Sequence, residues 1–315
     1  MVPKPGQGNR QHNKPHWVAT VGYGGLVSLL LVLAGCSLTP PAEPPAFADI
    51  HLHYNYTHAE VIDANRVVAI LRQNNVVLAT VSSEPTDFAL QLADAGGDGI
   101  IPFASPYYQS GNRLNWYFDK NLVNEIRARL EGGQYGGIGE VHLTAGIGPA
   151  RNNPVFTGLL ELAREFHLPV LIHTDASDPR YFLPICRKYA DVRFLWAHAG
   201  GTFQPPQLDP LMRACPNVWL DLAGRDPDHY GGLVDGESVL LPGWREFLIQ
   251  YQDRIMTGTD PVWNAQQIYR WYEADEGWDH YGEFLDFHRN WLHQLPSGVA
   301  QKIRLDNARS FFGRP

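Results

Sequence analysis

The chain has 315 residues, is 44% hydrophobic and carries a formal charge of −8. That length supports one large core or two smaller ones. The acidic balance, with no long basic run, argues against nucleic acid or an anionic lipid surface as the main partner.

Residues 1–20 carry Lys4, Arg10 and Lys14 and no acid, and "GLVSLLLVLAGC" then ends an apolar stretch at Cys36. A membrane span needs about 20 apolar residues, so this shorter run reads as the apolar region of a signal peptide. Its end, "LAGC", resembles the lipobox of bacterial lipoproteins. The resemblance implies that residues 1–35 are removed and Cys36 is lipidated. With Ser37 rather than an acid next to it, it also implies sorting to the outer membrane of the cell envelope, facing the periplasm. An ordinary secretory signal or a weak anchor is the alternative. Residues 36–46 then form a Pro-rich, semi-stiff tether, and 47–315 the folded domain.

Eight strand-like runs follow: "FADIHLH", "NNVVLATVS", "GIIPFAS", "GGIGEVHL", "LPVLIHT", "VRFLWAHA", "NVWLDLA" and "RIMTGTD". Most are short, apolar and rich in Val and Ile, as parallel strands covered on both faces should be. Helical spacing marks 59–73, 114–130, 158–167 and 241–251 between them. Alternating strands and helices mean βα units, and eight units over this length fit an α/β fold of the (β/α)8 TIM-barrel type. An open doubly wound sheet competes, but it gives no reason for polar residues at the ends of five different strands. The polar loop 224–242 follows strand seven, where barrel loops lie over the active site.

Side chains at i, i+2 and i+4 of a strand share a face, so Asp49, His51 and His53 point together, a poor core but a good start for a metal site. Of the 13 histidines, five sit at or near strand ends: His51, His53, His142, His173 and His198. Glu140 and His142 share a face of strand four, and Asp260 ends strand eight. Barrel closure gathers all of these at one rim. Imidazole nitrogen and carboxylate oxygen suit Zn²⁺, Mn²⁺ or Fe²⁺, and such a metal activates water near neutral pH.

Taken in order, "DIHLH", "GIGEVHL", "VLIHTD", "FLWAHAGG" and "GTD", with the closing "IRLDNARSFF", resemble the amidohydrolase superfamily of metal-dependent hydrolases, in its amidohydrolase-2 and TatD-like branches. The resemblance spans residues 47 to about 313. It implies that His51 and His53 bind a buried metal. Asp260 binds the same ion and relays a proton. His173 ligates one metal or another, and His198 ligates a second metal or stabilises the transition state. Glu140 stands where TatD-like members bridge two metals. One or two ions, zinc foremost, are therefore expected, with a small-molecule substrate.

Blander roles compete at several positions. Glu140 can be a structural acid, His142 a rim histidine rather than a substrate contact, and Asp260 an N-cap for a helix from Pro261. Asp49, one layer deeper, is read as orienting a histidine, and Asp221 as serving structure or substrate. Arg225 either meets an anionic substrate group or is solvated. The aromatics at 106–108, 115–118 and 271–278 are pocket walls or core. His12, His16, His58, His167, His229, His280, His288 and His293 are read as surface or loop residues. Cys186 and Cys215 form a disulfide or stay as buried thiols. The expected activity is hydrolysis of an amide, ester, lactone or phosphoester bond. The competing readings are a non-oxidative decarboxylase, a TatD-like nuclease and an inactive lipid-tethered binding protein.

Overall fold

The computed structural model describes residues 44–175, 177–261 and 277–314. Its eight strands are β1 (Phe47–His53), β2 (Val76–Ser82), β3 (Ile100–Ala104), β4 (Gly137–His142), β5 (Val170–His173), β6 (Phe194–Trp196), β7 (Val218–Asp221) and β8 (Ile255–Met256). They pair in chain order, each parallel to the next. The first and last meet through Ile50 N–H to the Thr257 carbonyl at 3.0 Å and Asp260 N–H to the His51 carbonyl at 2.8 Å. The Thr257 hydroxyl adds a bond to the Ala48 carbonyl at 2.9 Å. The sheet is thus a (β/α)8 barrel, as the rhythm of the sequence implies.

Helices cover the outside: α1 (Tyr56–Ala59), α2 (Ala64–Gln73), α3 (Phe88–Gly96), α4 (Leu122–Glu131), α5 (Pro154–Glu165), α6 (Pro179–Lys188), α7 (Pro205–Ala214), α8 (Trp244–Gln250), α9 (Tyr281–Leu292), α10 (Ser297–Gln301) and α11 (Asn307–Phe312). Their starts follow local chemistry. Asp63 accepts from Arg66 N–H at 2.9 Å, so α2 begins after it rather than at residue 59. Asn153 accepts from Val155 and Phe156 N–H with Pro154 in the first turn. The expected helix over 114–130 is divided. Trp116–Phe118 make one 3-10 turn, Asp119 accepts from Asn121 N–H at 2.8 Å, and α4 starts at Leu122.

Two apolar clusters result. The larger lies between strands and helices. The smaller fills the barrel with Ile50, Leu78, Phe103, Leu171, Leu195 and Met256, and Leu305, Ala308 and Phe311 of the terminal helical segment pack on it. That segment closes the floor of the barrel opposite the rim. Cys186 of α6 and Cys215, which follows α7, form a disulfide with Cα atoms 6.0 Å apart.

Strict alternation fails in β1. Its register against β2 shifts between Asp49 and Leu52. Ala48 and Ile50 join the inner cluster, while Phe47 and Leu52 join the outer one. Asp49 therefore parts from His51 and His53. Its carboxylate accepts from the Tyr281 hydroxyl of α9 at 2.8 Å, and from the Thr259 hydroxyl and N–H at 2.6 and 3.0 Å. It reaches only the backbone N–H of His51, at 3.2 Å, so it ties strands one and eight together and orients no imidazole. The local bulge is what moves it to the other face.

Candidate metal centre

The rim collects its polar groups from the ends of β1, β4, β5, β6 and β7 and from the turn after β8. His51 Nδ1 stands 2.5 Å from Asp221 Oδ2, and His53 Nδ1 donates to the Ser82 carbonyl at 3.0 Å. Each neutral ring has one N–H, and both are spent on these partners, so both Nε2 atoms carry lone pairs. The two Nε2 atoms nevertheless face each other at 3.2 Å. Asp260 Oδ1 stands 3.3 Å from His53 Nε2 and 3.9 Å from His51 Nε2. That oxygen is buried and has no hydrogen-bond partner among the described residues. With both rings neutral these are three acceptors meeting at one point, an arrangement that holds together around a positive charge, which a bound cation supplies and which a second proton on His51 supplies without one.

Glu140 occupies the middle of the rim. Its Oε1 lies 2.8 Å from His173 Nδ1, 3.6 Å from His51 Nε2 and 3.8 Å from His198 Nε2. Its Oε2 lies 3.5 Å from His53 Nε2 and 3.6 Å from His142 Nε2. Burial opposes its charge, but His142 and His173 hold the carboxyl well below the usual range. Burial likewise opposes charge on His51, yet Asp221, Asp260 and Glu140 draw its pKa up to about 9. His198 is raised in the same way, mainly by Asp175 and Glu140. The cluster is electrostatically built to hold extra positive charge.

The backbone is bent to serve these positions. His198 and Asp260 have φ of 57° and 54°, a left-handed conformation that costs a side chain roughly 1–3 kcal/mol. Gly200 and Gly201 continue the left-handed turn after His198, which accounts for the glycines of "AHAGG". Gly139 has φ +135°, and a Cβ there would lie 2.4 Å from the Leu171 carbonyl oxygen. Only glycine lets β4 bend there beside Glu140. The Ser82 hydroxyl fixes that bend, donating to the Gly139 carbonyl at 2.6 Å and accepting from Glu140 N–H at 2.5 Å.

A cavity of about 250 Å³ opens onto the cluster. It is lined by the polar His53, Glu140, His142, His173, Tyr230 and Asp260 and by the apolar or aromatic Leu114, Trp116, Tyr117 and Ile147. His142 lines it with Nδ1 bonded to the Tyr107 hydroxyl. Arg113 reaches the mouth but pairs with Glu84 at 3.3 Å. Arg225 is elsewhere. It is fully buried, with its guanidinium over the Trp244 ring and one nitrogen donating to the Phe203 carbonyl at 2.7 Å. It is therefore neither solvated nor part of the cavity wall.

Several residues gain a place that the sequence did not announce. Asp221 fixes His51, and Asp175, 3.4 Å from His173 Nε2, joins His173 and His198 in a possible donor group. Tyr230 brings the long loop after β7 into the cavity, its ring 5.0 Å from that of His198. His58 and His288, read as surface or loop residues, are instead buried in α1 and α9, where His58 Nδ1 accepts from Asn55 N–H and His288 Nε2 donates to the Gly258 carbonyl. Spacing was a usable signal for His288, which shares the apolar face of α9 with Leu285 and Leu292. The helix expected after Asp260 and the aromatics at 271–276 lie outside the described residues.

The donors fit a divalent cation. His51, His53 and Asp260 form one group whose ligand atoms lie within 4.8 Å of each other, and Glu140, His142 and His173 form another that shares none of its residues. Nitrogen and carboxylate donors of this kind suit zinc and its neighbours. Barrel and donor cluster together define a metal-dependent hydrolase.

The family model for amidohydrolases matches residues 52–314. Among solved structures, a zinc-bound amidohydrolase from Burkholderia multivorans is similar at 14% identity and a TM-score of 0.53, covering 86% of this chain and 100% of that one. A TatD-family hydrolase from Entamoeba histolytica is similar at 12% and 0.57, covering 84% and 97%. A putative 2-pyrone-4,6-dicarboxylic acid hydrolase from Pseudomonas putida is similar at 16% and 0.51, covering 85% and 97%. At these identities the likeness is one of fold. No protein of curated function matches the chain. The chain belongs to the amidohydrolase family.

Proposed function

We propose that the protein is a zinc-dependent hydrolase of a carboxylic ester, amide or lactone bond in a small molecule. The observation that carries this is the convergence of His51 Nε2, His53 Nε2 and Asp260 Oδ1 on one point beside an open cavity. Zinc bound there would supply Lewis acidity and lower the pKa of water. His51, His53 and Asp260 would hold it, and Glu140 and His173 offer donors for a second ion.

The chain's own groups do the rest. Asp260, through Oδ2, the oxygen not committed to the metal, takes the proton of the attacking water and passes it to the leaving atom. His198 Nε2, 3.6 Å from Asp260 Oδ2 and steadied by the bond from Nδ1 to the Ala223 carbonyl, supports charge gathering on the substrate oxygen. His142 contacts substrate at the polar wall. A nucleic-acid substrate is disfavoured, because the one guanidinium that lines the cavity among the described residues is paired with Glu84.

The test is metal content by mass spectrometry together with hydrolysis of an ester, amide and lactone panel. Stoichiometric zinc and a 10²- to 10⁴-fold loss of rate in Asp260→Asn are expected. Full activity of metal-free protein would refute the reading, and release of carbon dioxide from aromatic acids would favour a decarboxylase instead.

The same reading places the mature chain, from lipidated Cys36, on the outer membrane facing the periplasm. The Cys186–Cys215 disulfide supports an oxidising compartment. Cys36→Ser should move the protein from the membrane to the soluble fraction, and an unchanged distribution would count against the anchor.

A further inference from the structure

The three most exposed large apolar side chains among the described residues are Leu114, Ile147 and Phe118, at 81%, 77% and 70%. Two of them, Leu114 and Ile147, line the cavity that contains Glu140, His173 and Asp260. They arrive on separate loops, one between β3 and α4 and the other between β4 and α5. Trp116 and Tyr117 continue the same wall. A single exposed leucine needs no explanation. Two loops that each present their most water-exposed apolar residue to one concave, metal-ligating site do need one, because such a surface is stabilised when an apolar group covers it.

The rest of the cavity narrows what that group is. The donor cluster lines the same space and engages a polar reacting centre. Arg113 offers little to an anion, since Glu84 already neutralises it at 3.3 Å. Arg225, which the sequence offered as an anion contact, is buried and does not line the cavity. Polar donors and apolar side chains thus line one space of about 250 Å³, sized for a small molecule.

We propose that the substrate carries an apolar alkyl or aryl group directly beside the bond that is cleaved, and that Leu114 and Ile147 set the preference for it. This rests on the hydrolase reading above, because the metal donors place the polar end. Short, multiply charged acids are poor substrates on this view.

The experiment uses n-alkyl hydroxamates from acetyl to octanoyl as zinc-chelating probes, titrated calorimetrically into the zinc-loaded protein, with metal content measured on the same samples. A fully buried methylene contributes up to about a fourfold gain in affinity, so a rise of about two- to fourfold per methylene is expected. The Leu114→Ser/Ile147→Ser double variant changes two exposed side chains, which a fold tolerates, and its chain-length slope should fall to less than half. A second series, n-alkylammonium ions on metal-free protein, sets a cation against Glu140 and Asp260 and should show the same slope and the same loss. If the protein keeps no zinc, the hydrolase reading fails, and the alkylammonium series alone decides the apolar wall. A flat series in both forms, or a slope unchanged in the double variant, overturns the inference.

Discussion

Asp221 Oδ2 lies 2.5 Å from His51 Nδ1, across 170 residues of chain, and neither side chain has any solvent exposure. The other Asp221 oxygen accepts from Ala223 N–H at 2.6 Å, so the carboxylate is fixed at both ends. It holds the proton on Nδ1 and leaves Nε2 as a lone pair aimed at the centre of the rim. A carboxylate behind a metal-binding imidazole sets its tautomer and raises its basicity.

Asp221→Asn should accordingly weaken zinc binding by about 10- to 100-fold with the barrel intact. Competition with a chelator of known affinity measures it. Undiminished binding would mean that His51 does not ligate through Nε2.

Gly139→Ala should be among the most damaging small changes in the chain. The added Cβ meets the Leu171 carbonyl oxygen at 2.4 Å with φ at +135°, and either the strand pairing or Glu140 must move. A loss of roughly 2–4 kcal/mol is expected in urea unfolding. A variant as stable as the parent would show that β4 can relax around the methyl group.

Stability of the metal-free protein should fall with acid through two buried histidines that are not among the candidate ligands, His288 and His58. His288 donates from Nε2 to the Gly258 carbonyl at 2.7 Å while Nδ1 accepts from the Trp291 indole at 3.2 Å, so the folded ring is neutral. Burial pushes its pKa down to about 4 and that of His58 down to about 3, from the ordinary 6.5. The unfolded chain therefore takes up protons first. The stabilising contribution is complete above pH 6.5 and is lost as pH drops toward 4 and then 3, by an amount on the order of several kcal/mol. Urea midpoints at pH 7.5, 6 and 5 should fall more steeply in the parent than in His288→Gln. Parallel slopes would remove His288 from the account.

Reduction of the Cys186–Cys215 bond should destabilise the fold. The bridge spans a sequence separation of 29, and the loop-closure entropy it removes from the unfolded chain corresponds to roughly 3–4 kcal/mol. Unfolding with and without reductant measures the difference, and coincident curves would show that α6 and α7 hold together without it.

The barrel was legible because its signal is local. Each strand is a short apolar run between turn residues, and a buried parallel strand needs nothing more than that. The candidate donors His51, His53, Glu140, His173, His198 and Asp260 were legible for a related reason, since a charged or imidazole side chain at the end of an apolar run is conspicuous. Asp49 misled because alternation is a rule for regular strands, and one bulge in β1 reversed it. Asp221 and Asp175 carried no warning of their contacts, because nothing within several residues of either one specifies a partner on another strand.

Local pattern thus determined the eight strands, their alternation with helices and the residue types at each strand end. Hydrogen bonding and burial act over a few neighbouring residues there, and they leave a periodic trace. Closure of the barrel decided everything that depends on direction: which ring nitrogen of His51 faces Asp221, which donors share a centre, and which apolar side chains line the same cavity. Those relationships join groups as far apart as β1 and β7, and a side chain's orientation there is set by the register of the strands that carry it.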